Sequence, residues 1–549
     1  MLSVSGFLRG KPWNCLASVS LLSVLLSSLA LLAQTTISTG SIQGLVTDPS
    51  GAVVSGAKIS ISNKATGRLI TARTTSAGAY TSGALTPGDY TLRVEAEGFK
   101  TSEVALTVQV GVTAPGNIKL QVGLTTQVVE VQGTQVAVNT QQATVQGVLT
   151  TEQIENLPIN GRNFLDLAQL EPGVQIQDGG NFDPTKNGFS SISFGGRFGR
   201  TARIEVDGLD ISDETVGTTT QNVPASDIQE FQIQQSSLDL STELTSSGSV
   251  NVTTKSGTNK YHGEGYYFFR DQSLDANLPG ASDNPFQRNQ YGGNFGGPIL
   301  KDKLFFFLDA ERTKQDLLNP VLSSGNFAGI TGSYSSPFRE VEGVGRIDWQ
   351  INDKYKFFYR FSYDQNHSVL AIIPNSFQPF GNVNHTPVHA IGLDFNTGPY
   401  THSIRVGYMK FRNGIVDATA GSSIYDPLPG IELAIGGDPD CLAAGADDFC
   451  SGPSFLAPQQ TYQSNRQIKY DGSRALGAHI LRYGGGFNHI FGGGFASFLK
   501  LAPAVGAALT DCTGVCLTLP GGASNPLNYP ASSVSLGNGQ GYDLSLIHI

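Results

Sequence analysis

The chain has 549 residues, of which 66 are Gly and 15% are charged; its formal net charge is −10, and it contains five Cys and two Met. This length exceeds one ordinary hydrophobic core and predicts several domains, and the composition favours strands and turns over helices. The acidic balance argues against a nucleic-acid partner, and the few Cys argue against a cytosolic zinc protein or a thiol enzyme.

The first 33 residues predict export. Arg9 and Lys11 form a short basic segment, and the apolar run from Leu16 to Leu32 follows it. We interpret residues 1–33 as a signal peptide cleaved near Ala33. The alternative is an uncleaved membrane anchor, since the run nearly reaches the length of about 20 residues that a spanning helix needs.

The cysteines fit an exported chain. Cys15 lies within the predicted signal peptide, and two local disulfides in long loops are expected, one between Cys441 and Cys450 and one between Cys512 and Cys516. No His lies near them at ligand spacing, so a metal site is not expected.

Residues 41–122 predict a small antiparallel β-sandwich. Short alternating segments are separated every eight to twelve residues by turn sequences such as Asp48-Pro49-Ser50-Gly51 and Thr86-Pro87-Gly88-Asp89. The order Gly44-x-Val46-x-Asp48, Gly78-x-Tyr80 and Pro87-Gly88-x-Tyr90 resembles the carboxypeptidase regulatory-like domain. This resemblance implies a transthyretin-like, non-catalytic fold, and residues 41–122 contain neither His nor Cys to hold a catalytic zinc ion. A generic adhesin-type sandwich would have the same composition.

A short apolar strand follows the sandwich. It comprises Gln127, Val128, Val129, Glu130 and Val131. By position and pattern the strand resembles the box that pairs with the periplasmic protein TonB, for which strand addition through main-chain hydrogen bonds would supply the affinity. An ordinary connecting strand is the alternative.

Residues 124–257 carry an ordered set of motifs. They include Asn160-Gly161-Arg162-Asn163-Phe164, Phe194-Gly195-Gly196-Arg197, Ile204-Glu205-Val206-Asp207-Gly208 and the segment 247–257. The set resembles the plug domain of TonB-dependent receptors, especially of the Oar-like branch. This resemblance implies an α+β plug.

Clustered charges in this region invite two interpretations. The acidic residues are Asp207, Asp210, Asp213 and Glu214, and Arg197, Arg200 and Arg203 lie near them. Calcium binding is conceivable, but the spacing is not that of an EF-hand, and Asp-Gly is typical of a hairpin turn. We expect a structural ion network between plug and barrel wall, with no metal, no cofactor and no catalytic residue.

From residue 258 the pattern predicts an outer-membrane β-barrel. Eight candidate strands are mostly eight to twelve residues long, and short turns alternate with long connections. They are Tyr261–Arg270, Asn289–Gly296, Leu304–Arg312, Gly343–Gln350, Lys354–Asp364, His389–Asn396, Thr401–Arg412 and Ala478–Ile490. A soluble β-sandwich also alternates, but the loop pattern favours the barrel. His385 and His389 flank Pro387 in a predicted loop edge, so we do not expect them to bind metal.

The predicted barrel is unfinished. Since a plugged barrel has about 22 strands, residues 258–549 are expected to form only its N-terminal part, an open and curved wall. The predicted fold class is therefore mainly β, with a signal peptide, a transthyretin-like sandwich, an α+β plug and an incomplete antiparallel outer-membrane barrel.

These elements together predict a function without covalent chemistry. The resemblance implies a receptor or transporter in the Gram-negative outer membrane, with a periplasmic N-terminal domain. Its expected partners are TonB, outer-membrane lipid and an unidentified extracellular ligand, and nucleic acid is not expected. A surface adhesin or structural barrel without transport is the alternative, and a carboxypeptidase is not supported because residues 41–122 offer no metal ligands.

Overall fold

The computed structural model describes residues 39–123, 128–131, 145–157, 159–236, 245–274, 285–323, 325–371, 376–398, 400–419, 426–436, 449–476, 479–495, 502–509 and 515–536. Residues 1–33, Gln127, Cys441 and Cys512 lie outside these ranges, and so do the predictions made for them. No helix within the described ranges is long and apolar enough to cross a membrane.

Residues 39–123 and the strand Val128–Val131 form two packed β-sheets, which we call the N-terminal sandwich. One sheet has the order β4-β1-β7 with β8 also on β1, and the other has the order β3-β2-β5-β6-β9. Alternate residues of β2 and β5 are buried, so each strand turns one face to a core that includes Ile42, Ile59 and Tyr90. The strands are β1 (Ser41–Thr47), β2 (Lys58–Asn63), β3 (Leu69–Arg73), β4 (Ala79–Thr81), β5 (Gly88–Glu95), β6 (Thr101–Val108), β7 (Thr113–Pro115), β8 (Ile118–Lys119) and β9 (Val128–Val131).

The last of these strands belongs to the TonB-box-like segment. Val128–Val131 extends the sandwich sheet by pairing in parallel with β6, in a register that sets Thr101 opposite Val128 and Val104 opposite Val131. The segment therefore lies as a strand on an edge of the N-terminal sandwich.

Residues 145–257 form a second unit, which we call the inner unit. Its main sheet has the order β10-β15-β16-β13-β14, and β11 and β12 form a separate hairpin. One helix, α1 (Thr151–Asn156), begins with a capping box between Thr150 and Gln153. The strands are β10 (Val145–Thr150), β11 (Val174–Asp178), β12 (Ser190–Phe194), β13 (Arg203–Val206), β14 (Leu209–Asp210), β15 (Ile228–Ser236) and β16 (Ser249–Thr254), with 3-10 turns at Asn160–Arg162, Phe164–Leu170, Gly179–Asn181, Pro184–Lys186, Gly199–Thr201 and Ala225–Asp227.

The largest sheet, which we call the wall, has the antiparallel order β17-β18-β19-β21-β22-β23-β24-β27-β28. Within the described residues β17 and β28 form its two edges. The later strands are β17 (His262–Asp271), β18 (Phe286–Leu300), β19 (Leu304–Val321), β20 (Gly332–Ser335), β21 (Phe338–Gln350), β22 (Tyr355–Leu370), β23 (Phe380–Thr397), β24 (Tyr400–Asp417), β25 (Glu432–Ile435), β26 (Phe449–Ser451), β27 (Gln459–Leu476), β28 (His479–Phe495), β29 (Ala504–Ala507) and β30 (Ser533–Ser535).

The wall differs from its sequence-based description in two ways. Most of its strands are longer than predicted, reaching 18 residues in β19, β23 and β24, because pairing continues beyond the aromatic segments into polar sequence. The strand β27, Gln459–Leu476, was not predicted at all.

The two ends of the wall are unlike. Residues 301–303 and 351–354 connect strands at one end, the short-turn end. The other, the long-loop end, carries the longer connections and a small sheet of order β26-β25-β29-β30, whose apolar core includes Phe327, Phe377 and Phe449. The longer connections also contain short 3-10 turns and one helix, α2 (Val515–Thr518).

Candidate ligand cavity and the contacts of the inner unit

The wall carries polar side chains on the face turned to the inner unit. In β22 alternate residues are buried, and Arg360, Ser362 and Asp364 are among them. On the opposite face large apolar side chains such as Ile347, Trp349 and Phe487 are exposed. A polar interior and an apolar exterior are the arrangement of a membrane β-barrel.

A two-residue turn of the inner unit carries a carboxylate to the wall. Asp207 and Gly208 join β13 to β14 with φ angles of 52° and 82°, as a type I′ hairpin turn requires. The predicted Asp-Gly hairpin is thus present. The turn brings Asp207 to 3.3 Å from both Arg346 and Arg360 of the wall.

The carboxylate of Asp207 is fully engaged. It also accepts hydrogen bonds from the backbone N–H of Thr254 at 3.1 Å and from its hydroxyl at 2.8 Å. Burial alone would raise the pKa of Asp207, but the guanidinium groups of Arg346 and Arg360 and the bonds from Thr254 hold that pKa below its usual value. Asp207 therefore joins the two units as an ionised group.

The strand β27 provides a second set of contacts. Lys469 forms an ion pair with the buried Glu205 at 3.2 Å, and the Gln467 amide bonds both the backbone N–H (2.9 Å) and the carbonyl (2.7 Å) of Asp210. Gln463 bonds the Ser212 carbonyl at 3.0 Å. These three residues were not predicted from the sequence. Their spacing of two or four positions places the side chains on one face of a strand, which was the signal available.

The predicted ion network with the wall is present at Asp207, whereas Arg200 and Arg203 of the predicted cluster have their partners within the inner unit. Arg203 pairs with Glu214 at 2.6 Å and with Asp210 at 3.7 Å within the inner unit, and Lys186 pairs there with Asp213. Burial raises the pKa of Asp210 to about 7 against the opposing charge of Arg203. The ion pairs to the wall come from Asp207, a member of the predicted acidic cluster, and from Glu205, which was not predicted.

No metal centre is assembled from these carboxylates. Within the described ranges no group of three or more His, Cys, Asp or Glu side chains is placed to hold a metal ion. His389 lies in β23, where its Nδ1 is 2.9 Å from the Tyr359 hydroxyl. His385 and His389 thus belong to a strand, and the predicted loop edge at this position was wrong.

A cavity of about 660 Å³ lies between the inner unit and the wall toward the long-loop end. Five acidic and three basic side chains take part in its lining, together with many amides and hydroxyls. The charged residues are Asp166, Asp178, Glu311, Glu340, Glu342, Arg162, Arg270 and Arg288. The volume is in the range typical of small-molecule sites.

Arg162 links the two sides of this cavity. It lies in the predicted motif Asn160-Gly161-Arg162, pairs with Glu311 of the wall at 3.1 Å, and stacks 4.4 Å and 4.9 Å from the ring centres of Tyr266 and Phe268. Nearby, Asn222 donates its backbone N–H to Asp364 at 2.7 Å and its side-chain amide to Glu340 at 2.9 Å.

The N-terminal sandwich contacts the inner unit through Glu230. Its carboxylate accepts the backbone N–H of Val110 at 2.5 Å, and Gln232 donates to the Val110 carbonyl at 3.3 Å. Burial raises the pKa of Glu230 to about 8, against the lowering effect of the Val110 bond. The sandwich also meets the start of the wall, where the Asn259 N–H donates to the Ala65 carbonyl at 3.0 Å.

The predicted disulfides fall partly outside the described residues. Cys450 in β26 is disulfide-bonded, whereas Cys441 and Cys512 are not described and Cys516 lies in α2. Both pairings therefore stay predictions.

The fold and the inner contacts define a class: the wall of an outer-membrane β-barrel packed against an inner unit with a sheet of its own. Two family comparisons agree with it. Residues 41–121 match the family described as "Carboxypeptidase regulatory-like domain", and residues 253–325 match "Outer membrane beta barrel domain".

Comparison with individual proteins gives more specific similarities. The chain is 28% identical over 483 residues to the TonB-dependent transporter Oar of Myxococcus xanthus, an alignment covering 72% of this chain and 44% of Oar. It is also similar in fold to the outer membrane transporter YddB of Escherichia coli, with 14% identity, a TM-score of 0.51, and coverage of 66% of this chain and 50% of YddB. The chain thus spans less than half the length of the curated relative.

These findings confirm the predicted resemblance, the mainly β fold class and the outer-membrane location. The chain is a homologue of a TonB-dependent transporter, and its wall is similar to those of outer-membrane β-barrel proteins.

Proposed function

We propose that the chain acts as a TonB-dependent receptor and transporter that binds an extracellular ligand, with the inner unit as its plug. The supporting observation is the interface between the inner unit and the wall, which is built from buried ion pairs beside a ligand-sized cavity at the long-loop end. In this arrangement the long-loop end faces the outside, the N-terminal sandwich is periplasmic, and the apolar face of the wall contacts lipid.

The transport step follows from the chemistry of that interface. TonB would pair with the strand Val128–Val131 by main-chain hydrogen bonding and pull on the inner unit. Separating ion pairs such as Asp207–Arg346 exposes charges that water can solvate, so the inner unit can shift without exposing a large apolar surface. No covalent step is involved, and the function is not enzymatic.

Deleting residues 127–131 from the full-length protein tests this proposal. Ligand uptake by whole cells should fall to the level of a strain without TonB, whereas the amount of receptor in the outer membrane stays the same. A deletion of equal length at residues 48–52, an exposed turn between β1 and β2 whose hydrogen bonds are local, serves as the control for damage to the N-terminal sandwich.

Uptake that is unchanged by the 127–131 deletion would remove the transporter proposal. That result would favour the alternative of a surface adhesin or structural barrel, which needs no energy from the inner membrane.

A further inference from the structure

Three carboxylates form a row across the inner face of the wall. Glu311 of β19 lies directly opposite Glu342 of β21, and Glu342 lies directly opposite Asp364 of β22. All three side chains are buried, with at most 6% exposed. Like charges in directly opposed positions of neighbouring strands destabilise a sheet, so this row calls for compensation.

The negative charges of Glu311 and Asp364, at the two ends of the row, are partly compensated. Glu311 pairs with Arg162 at 3.1 Å and accepts the Tyr266 hydroxyl at 2.6 Å. Asp364 accepts the Asn222 backbone N–H through Oδ2 at 2.7 Å, but its Oδ1 has no hydrogen-bond partner among the described residues.

The carboxylate of Glu342, in the middle of the row, has no compensating partner among the described residues. Glu342 is only 6% exposed, and it makes neither a hydrogen bond nor an ion pair with the part of the chain that the structure describes. The charged groups acting on it most strongly are other carboxylates: Glu340, Glu311, Asp364 and Asp309. A buried carboxylate without a partner is costly, which points to a cation that the protein itself does not supply.

Two members of the row, Glu311 and Glu342, open into a space large enough for a molecule. Together with Glu340 they line the cavity of about 660 Å³, and side chains near the strand ends, such as Asn319 and Ser336, carry the lining to the long-loop end. A bare metal ion does not fit this site, since these carboxylates do not converge on one point within the described structure. An organic cation does.

We propose that this cavity binds a ligand bearing ammonium groups, with Glu342 as its principal anchor. The inference rests on the proposed function, which makes the cavity the receptor's ligand site. Neighbouring strands are about 4.8 Å apart, so Glu311 and Glu342, the two members of the row that line the cavity, are about one strand spacing apart. Two ammonium groups separated by about 5–6 Å can each lie beside one of these two carboxylates.

Polyamines and lysine-rich peptides share this chemistry. Titration calorimetry on the full-length protein in detergent, with spermidine and with trilysine as probes, distinguishes the two sources. The uncharged 1,4-butanediol should not bind. We expect at least one of the two cationic probes to bind, and its affinity to weaken at least tenfold in Glu342→Gln.

The matched control is Glu264→Gln. Glu264 also lies on a wall strand, where it bonds Asn294 at 2.7 Å, but it does not line the cavity, so its substitution should leave probe binding unchanged. Glu342→Gln is expected to fold at least as well as the wild type, because it removes repulsion within the row. Its melting temperature without probe should be equal or higher.

Two results overturn the inference: neither cationic probe binds the wild type, or binding is equally strong in Glu342→Gln. Calorimetry requires no TonB, so its outcome is separate from that of the 127–131 deletion. Probe binding without TonB-dependent uptake would remove the proposed function alone, and uptake of a ligand without ammonium groups would remove the inference alone.

Discussion

The ion pairs of Asp207 give the sharpest test of how the inner unit is held. Asp207→Asn keeps the shape of the side chain and one of the two oxygens that accept from Thr254 but removes the charge that faces Arg346 and Arg360, each 3.3 Å away. At an effective dielectric constant of about 20, each such pair contributes about 5 kcal/mol of Coulomb energy. Much of this is offset by desolvation, so the net cost of removing one partner should be about 3–5 kcal/mol.

The loss of stability in Asp207→Asn should arise mainly from the unpaired charge of Arg360. Arg346 keeps its pair with Asp348 at 2.8 Å, whereas Arg360 is 1% exposed and Asp207 is its ion-pair partner in the described structure. A double-mutant cycle of Asp207→Asn, Arg360→Met and the combined variant isolates this contribution. The assay is thermal unfolding of the full-length protein in detergent, with Asp302→Asn, an exposed turn variant, as the control.

The combined variant should be more stable than Asp207→Asn alone, because it leaves no unpaired charge at Arg360. Strictly additive losses would refute the reasoning, since they would mean that the two side chains act independently.

Three further predictions concern the other contacts. Because burial raises the pKa of Glu230 from 4.5 to about 8, the folded protein binds the extra proton, and this contribution to stability is lost as pH rises from about 4.5 to 8. In unfolding measurements Glu230→Gln should remove this contribution and lessen the fall of stability with pH, to which Asp210 still contributes up to about pH 7. It should be the more stable form above pH 8, by at most about 5 kcal/mol. Lys469→Met should cost about 3–5 kcal/mol by leaving Glu205 poorly compensated, and adding Glu205→Gln should restore most of the melting temperature; no recovery would contradict the pairing. A disulfide between Ser102→Cys and Val129→Cys should hold β9 on β6 and block uptake until reductant is added, and uptake by the oxidised form would show that this pairing need not open.

Local sequence signals identified much of the fold. Turn residues at regular spacing located the N-terminal sandwich, and the dipeptide Asp207-Gly208 indicated a hairpin turn whose positive φ angles the structure contains. These features depend on residues close together in the chain, so a single sequence is enough to reveal them.

The strand β27 shows what local signals miss. Its residues Gln463, Gln467 and Lys469 face the inner unit, so the strand has no continuous apolar segment, and a membrane β-strand gives a weak signal in any case. The acidic row was equally hidden, because Glu311 and Glu342 become neighbours only through strand register. Register is set by pairing across the whole sheet and cannot be read from either strand alone.

The chemical nature of the contacts between the wall and the inner unit affects how easily the inner unit can be displaced. Within the described residues, apolar contacts across this interface include Leu209 with Phe358 and Ala390 and the ring contact of Phe189 with Phe411. Val388 and Met409 of the wall also belong to the buried cluster that forms the core of the inner unit. An interface made mainly of apolar side chains would resist separation in proportion to the area exposed to water. Charged and amide groups regain hydrogen bonds to water when they separate, so the cost of moving the inner unit is lower than its tight packing suggests. A polar interface of this kind holds the inner unit in a defined position at rest and still allows an external pull to displace it.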